Sequence, residues 1–152
     1  MTYEATGARH AARVEAILRA LPEWFGIESS IIDYIEFTQT HPLFFIGDER
    51  HEVLGFIGLG LHGEYAAEVH IMAVDPDARR RGLGRKLIEE VERWCRARGI
   101  EYLQVKTLDK SRESAAYAQT RRFYEAMGFR LLEVFPTLWD PHNPCALYVK
   151  AL

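Results

Sequence analysis

The chain has 152 residues, 48% of them hydrophobic and 12% aromatic, with a formal net charge of −3 at pH 7. That is enough apolar material for one domain over residues 1–152, burying about two thirds of its unfolded surface, and the negative balance argues against a general nucleic-acid binder, leaving a nucleotide or nucleic-acid binder as the weakest of three readings. Cys95 and Cys145 suggest no disulfide framework, and with no charged-then-apolar leader or long apolar run a soluble, cytoplasmic protein without a membrane partner is expected.

Ala11 to Leu21 reads as a first helix, with Val14, Ile17, Leu18 and Leu21 in one stripe and Pro22 at its end. Glu23-Trp24-Phe25-Gly26 forms a bulky turn. A second helix is predicted over Glu28–Thr38, capped by a serine and carrying Ile31, Ile32, Ile35 and Phe37; His41-Pro42 breaks it. Leu43–Ile46 and Val53–Leu61 read as hairpin strands around turn chemistry at Gly47–Glu52, and Gly55, Gly58 and Gly60 mark bulges or close backbone approach. His62-Gly63-Glu64 leads into a strand over Glu68–Val74. A helix follows in which Leu83, Leu87, Ile88, Val91, Trp94 and Cys95 recur at helical spacing. Arg85, Lys86, Glu89, Glu90, Glu92 and Arg93 take the other side of that helix, and Gly99 stops it. Tyr102–Thr107 is a strand, parallel to Glu68–Val74 because a helix forms the crossover. A polar loop, a helix over Ala115–Met127, a strand over Phe129–Phe135, a loop over Pro136–Pro144 and a strand over Cys145–Lys150 complete the chain. Helices, then a meander, then strand–turn–helix make an α+β order rather than a doubly wound one.

The chemistry concentrates between the Glu68 strand and the helix after it. Gly82 and Gly84 let the backbone turn tightly and approach a ligand, and the helix N-terminus aims free N–H groups at an anion. Arg79, Arg80 and Arg81 add positive charge there. The turn is not a Walker loop, because Arg85 and Lys86 follow Gly84 where a magnesium-binding hydroxyl would be needed. It is not a dinucleotide fingerprint, because Leu87 holds the place of the third glycine.

What remains is R-x-x-G-x-G at Arg79, Gly82 and Gly84, preceded by Ala73-Val74-Asp75-Pro76. This resembles the main motif of the GNAT superfamily of N-acetyltransferases, Q/R-x-x-G-x-G/A. Further on, Phe123-Tyr124-Glu125-Ala126-Met127-Gly128-Phe129 resembles that family's F-Y-E-x-x-G-F. The resemblance implies a mixed, mostly antiparallel central sheet flanked by helices, with a splayed parallel strand pair at the cofactor site. It also implies acetyl-coenzyme A as cosubstrate, its pyrophosphate on the loop amides, and no metal. Cofactor contacts carry over to Arg79, Gly82 and Gly84, with Arg80, Arg81, Leu83 and Arg85 flanking them and Met72, Ala73 and Val74 on the strand. Tyr117 stands where relatives often carry an asparagine that touches the pantetheine arm.

Acetyl transfer to an amine sets further requirements. A lysine-like amine has a pKa of about 10.4 and is almost wholly protonated at neutral pH, so a base or a water chain helps to free it. The leaving thiolate, of pKa about 8.5, gains from a weak acid, and the thioester oxygen needs a donor such as a backbone N–H. The resemblance gives the acid's role to Tyr124. Glu68 and His70, two apart on a strand and so on one face with Met72, are the candidate bases, with ordered water as the third option. No nucleophile is required, so direct attack without an acyl-enzyme is expected. A catalytically silent coenzyme A-binding module is the alternative. The remaining histidines lack metal-ligand spacing. The acceptor is a small-molecule or peptide amine, selected by the loops Pro22–Ser30, Leu108–Ser114 and Pro136–Pro144, and a homodimer is left open. Leu138 and Trp139 in the last of these, with Phe135 just before it, are expected to wall the acceptor side.

Overall fold

The computed structural model describes residues 2–4, 7–50 and 52–152; His51, read above as part of a turn, lies outside them. Among the described residues seven strands form one sheet in the order β1-β2-β3-β4-β5-β7-β6. They are β1 (Thr2–Glu4), β2 (Leu43–Gly47), β3 (Val53–His62), β4 (Ala66–Val74), β5 (Tyr102–Leu108), β6 (Arg130–Asp140) and β7 (Asn143–Ala151). Four helices flank the sheet: α1 (Ala11–Arg19), α2 (Glu28–Thr40), α3 (Leu83–Ala97) and α4 (Ala115–Ala126). All neighbouring strands are antiparallel except β4 and β5. This is the mixed α+β arrangement expected from the sequence. None of the described helices is long and apolar enough to cross a membrane.

Each face of the sheet carries its own apolar cluster. On one, Leu83, Leu87, Ile88, Val91 and Cys95 of α3 and Tyr124 of α4 pack on Phe44, Ile46, Ile57, Leu59, Val69 and Val105. On the other, Val14, Ile17 and Leu18 of α1 and Ile31 of α2 pack on Leu43, Phe45, Phe56, Ile71 and Ala73. Covered on both sides, β2 reads as a continuous apolar run rather than an alternating one.

β4 changes face partway along. Leu59 pairs with Val69 but Gly58 pairs with Ile71, so His70 is an extra residue bulged out of β4. Before it, Ala67 and Val69 face α3; after it, Met72 and Val74 do, while Ile71 and Ala73 turn toward α1 and α2. A plain alternation through this strand, which would put Glu68 and Met72 on one face, is therefore wrong. The parallel pairing of β4 with β5 covers only Ala66–Val69 against Tyr102–Val105. Beyond that the two strands part, β4 staying with β3 and β5 with β7.

Four local expectations need correction. No serine caps α2: the residue before the helix is Ile27, in extended backbone with no side-chain cap. Glu28 supplies the acid of the first turn and pairs with Arg19, while Ser29 and Ser30 sit inside the helix. Ile32, placed with the apolar residues of α2, is exposed, because the buried stripe runs through Ile31 instead. Glu92 is buried rather than on the polar face of α3, because Lys150 of β7 reaches it across the seam and also donates to the Met127 carbonyl. The segment 136–144 is not a free loop. β6 runs to Asp140, which pairs with Asn143, and residues 136–139 bulge out opposite Pro144. Proline lacks the N–H that a ladder needs, so Pro136 begins the bulge instead of ending the strand.

The glycines of β3 answer to close packing. A Cβ at Gly58 would lie 2.9 Å from Ile71 Cγ2 and 3.3 Å from Phe37 Cε1, beside the His70 bulge. Gly58→Ala is expected to cost about 1–3 kcal/mol through overpacking. Urea denaturation measures it, and an unchanged midpoint would mean that the core repacks there without strain.

Candidate active site

The parting of β4 and β5 opens a cleft of about 830 Å³ whose lining comes from both sides of the sheet. That volume lies within the usual range for small-molecule and cofactor sites. One end is the turn between β4 and α3. Gly82 takes φ 70°, a left-handed conformation that costs glycine little, and a Cβ there would meet nothing within 4 Å. Its constraint is backbone geometry, not space. Gly84 is constrained by space: a Cβ would sit 3.0 Å from Met72 Cε and 3.2 Å from two ring atoms of Phe123. The first intrahelical bond of α3 runs from the Lys86 N–H to the Gly82 carbonyl. The preceding N–H groups, of Leu83, Gly84 and Arg85, are the helix's unpaired donors, and these three residues line the cleft.

Arg79, Arg80 and Arg85 also line it, whereas Arg81 is exposed outside it. Arg80 adopts φ 65°, unusual for a residue with a Cβ, and this local reversal divides the arginine run between cleft and solvent. Met72, Ala73, Val74 and Tyr117 complete the cofactor-side expectations on the cleft wall. The donor set suits a phosphate-bearing ligand: free helix amides, three guanidinium groups and a turn open at Gly82.

Midway along the cleft, where the strands part, lie Glu68, His70 and Tyr124. Glu68 is 6% exposed, and its Oε1 accepts from Lys106 Nζ at 2.7 Å and Gln104 Nε2 at 3.1 Å. Its Oε2 lies 3.6 Å from His62 Nε2 and 3.8 Å from His70 Nδ1. Burial alone would raise the Glu68 pKa; the facing His70, Lys106 and Gln104 outweigh it and hold it down at about 2. The His70 ring stacks on Phe37 at 3.9 Å between centroids and meets Tyr34 edge-on at 5.8 Å. Tyr124, 6% exposed, packs edge-on against Phe123 and Phe129. Burial pushes its phenol above the ordinary range, and the hydroxyl bonds to no described residue.

The structure adds residues that the sequence reading missed. Lys106 lines the cleft beside Glu68; it and Gln104 are the polar, in-phase positions of a strand whose Leu103 and Val105 are core. That alternation was the available signal. Trp24, from the α1–α2 connection, donates from Nε1 to Thr120 Oγ1 at 2.9 Å, and its carbonyl accepts from the Tyr117 hydroxyl at 3.2 Å. The Arg79 guanidinium lies 5.1 Å from the centre of the Trp24 ring. Phe25, Tyr34 and Trp139 line the same cleft, whereas Phe135 and Leu138 do not. Cys95 and Cys145 are buried and do not line it, and burial pushes the Cys95 thiol up to about 11. Among the described residues no cluster of three His, Cys, Asp or Glu side chains is placed to hold a metal ion.

An uncharacterised N-acetyltransferase of Chlorobaculum tepidum is 27% identical over 105 residues, 67% of this chain and 61% of that protein. The mycothiol acetyltransferase of Amycolatopsis mediterranei is 37% identical over 68 residues, 40% of this chain and 23% of its own length. The chain thus spans less than two thirds of either relative. Among solved structures, a GNAT-family protein of Desulfovibrio desulfuricans superposes with a TM-score of 0.86 at 21% identity, covering 99% of this chain and 98% of that one. An aminoglycoside 6'-N-acetyltransferase complexed with coenzyme A gives 0.75 at 19% identity, covering 99% and 96%. At such identities these likenesses establish the fold. The profile of the Acetyltransferase (GNAT) family matches residues 12–129, which carry the arginine–glycine turn, the parted strands and Tyr124, and the chain belongs to that family.

Proposed function

We propose that the protein transfers an acetyl group from acetyl-coenzyme A to a primary amine by direct attack, without an acyl-enzyme. One observation carries this reading: a single cleft joins the anion-binding turn at Arg79–Arg85 to Glu68, His70 and Tyr124 at the parting of β4 and β5. Acetyl-coenzyme A supplies a thioester, whose carbonyl carbon forms the new bond to nitrogen as the bond to sulfur breaks. The helix amides of Leu83, Gly84 and Arg85, with Arg79 and Arg80, bind its phosphates. Met72–Val74 and Tyr117 lie along its arm. The coenzyme A-complexed fold neighbour and the family support this assignment.

The two base candidates divide the work. A carboxylate held near pKa 2 is a weak proton acceptor at neutral pH, so Glu68 serves as a fixed negative charge. Facing His70 Nδ1, it favours the tautomer protonated on that nitrogen and leaves Nε2 to accept the amine proton, directly or through water. Tyr124, kept protonated by burial, donates a hydrogen bond to the departing sulfur from the other side of the sheet.

Thiol release from acetyl-coenzyme A with an amine panel tests the whole reading. Tight coenzyme A binding without release would leave a binding module instead. Gly82→Val should weaken coenzyme A binding at least tenfold, because a β-branched residue is strained at φ 70°. Calorimetry decides it: unchanged affinity in a folded variant rules the turn out as the phosphate site. Tyr124→Phe should lower turnover by about 10²–10⁴-fold with coenzyme A affinity near wild type. A loss under about threefold would make Tyr124 a packing residue. The pH–rate profile separates the bases. His70→Gln should abolish the acidic limb and Glu68→Gln should retain it, whereas the reverse pattern would make Glu68 the base.

A further inference from the structure

We infer that the acceptor is a monoamine carried on an aromatic body and that the site discriminates against polycationic amines. This rests on the acyltransferase reading and adds the chemical class of the acceptor. Of the permanent ions lining the cleft, Arg79, Arg80 and Arg85 belong to the phosphate end. That leaves Lys106 and Glu68 where the strands part. Among the described residues Glu68 is the only acid in the lining, and its Oε1 is already bonded to Lys106 and Gln104. One acceptor ammonium can approach Glu68 Oε2, which has no partner closer than 3.6 Å. A second or third ammonium on the same molecule would meet no further carboxylate in the lining. It would meet the Lys106 ammonium, whose side chain is 29% exposed.

The wall around Glu68 and His70 is built of rings. Phe25 meets Tyr34 edge-on at 5.7 Å, and Tyr34 meets His70 edge-on at 5.8 Å. Trp139 lines the same cleft and remains 48% exposed, carried on the bulge that interrupts the β6–β7 ladder. Such rings favour a flat partner, which gains offset or edge contacts beyond the area it buries. An indole left half-open in a cleft is apolar surface that a bound ring would remove from water. The arrangement accordingly fits an aromatic ring placed against Trp139 and Tyr34, with its single ammonium directed at Glu68.

The test compares 2-phenylethylamine, hexylamine, spermidine and kanamycin. Acetylation is followed by thiol release, and binding by calorimetry on the coenzyme A-loaded protein. The expected kcat/KM for 2-phenylethylamine exceeds that for hexylamine, of similar apolar size, by at least fivefold, and that for spermidine or kanamycin by at least fiftyfold. Trp139→Ala should reduce the advantage over hexylamine to less than twofold, while Trp139→Phe, which keeps a ring, retains most of it. Lys106→Gln should narrow the gap to spermidine at least fivefold by removing the repelling charge. Equal or better kinetics with spermidine or kanamycin would overturn the inference and leave the acyltransferase reading intact. So would equal kinetics with hexylamine. If the coenzyme A complex binds 2-phenylethylamine selectively but forms no acetylated product, the acyltransferase reading fails and the aromatic monoamine site stands.

Discussion

The whole arrangement depends on one extra residue in a strand. With His70 bulged out, β4 keeps its pairing to β3 but exchanges which side chains face which layer. Its pairing to β5 ends at Val69, one residue before the bulge. A bulge raises local twist and bends the strand that carries it, and here it coincides with the place where two parallel neighbours separate. Backbone groups on the parted edges lose their sheet partners and need others. The fold thus builds a slot through the middle of its own sheet, with Tyr124 on one side and Glu68 and His70 on the other.

The same pair chemistry occurs twice in this molecule with different consequences. Glu92 with Lys150 and Glu68 with Lys106 are both carboxylates buried against an ammonium. Burying either pair is expensive, and an apolar pair of equal volume would often be at least as stable. Glu92 closes the seam between α3 and β7, where Lys150 also satisfies the Met127 carbonyl. Glu68 instead leaves one oxygen without a close partner and opens onto the cleft. A buried ion pair by itself therefore does not mark a site; the unfilled valence and the open wall do.

Much of this was legible in the chain, for identifiable reasons. Helices α1 and α3 follow apolar spacing, and the turn at Gly82 and the stop at Gly99 are glycines with positive φ. The arginine–glycine turn was readable because its backbone geometry, with Gly82 at φ 70° opening a helix, is set by short-range sequence. The bulge was not readable. Nothing in Glu68-Val69-His70-Ile71 breaks alternation; the face exchange follows from pairing with Gly58 and Leu59 on another strand. Lys106 was missed because its meaning depends on the parallel register that brings β5 beside Glu68. The short β1 was missed too, since three residues carry no period, and β6 was cut short at Phe135 because proline forbids pairing but not extension.

The α1–α2 connection completes the site through contacts that join parts distant in sequence. Trp24 bonds through its indole to Thr120 and through its carbonyl to Tyr117, fixing the connection to α4 across the cleft. Its ring also lies beneath the Arg79 guanidinium of the turn between β4 and α3. A cation over an indole is attracted by the ring face, and the same guanidinium is a donor set for phosphate. One aromatic side chain thereby connects the wall that carries Phe25, the helix that carries Tyr124 and the turn that carries the arginines. Connections between elements are usually the mobile part of a fold. Here two hydrogen bonds and a ring contact tie the connection to α4 and to the arginine turn, so the aromatic wall and that turn are held in register with the parted strands between them.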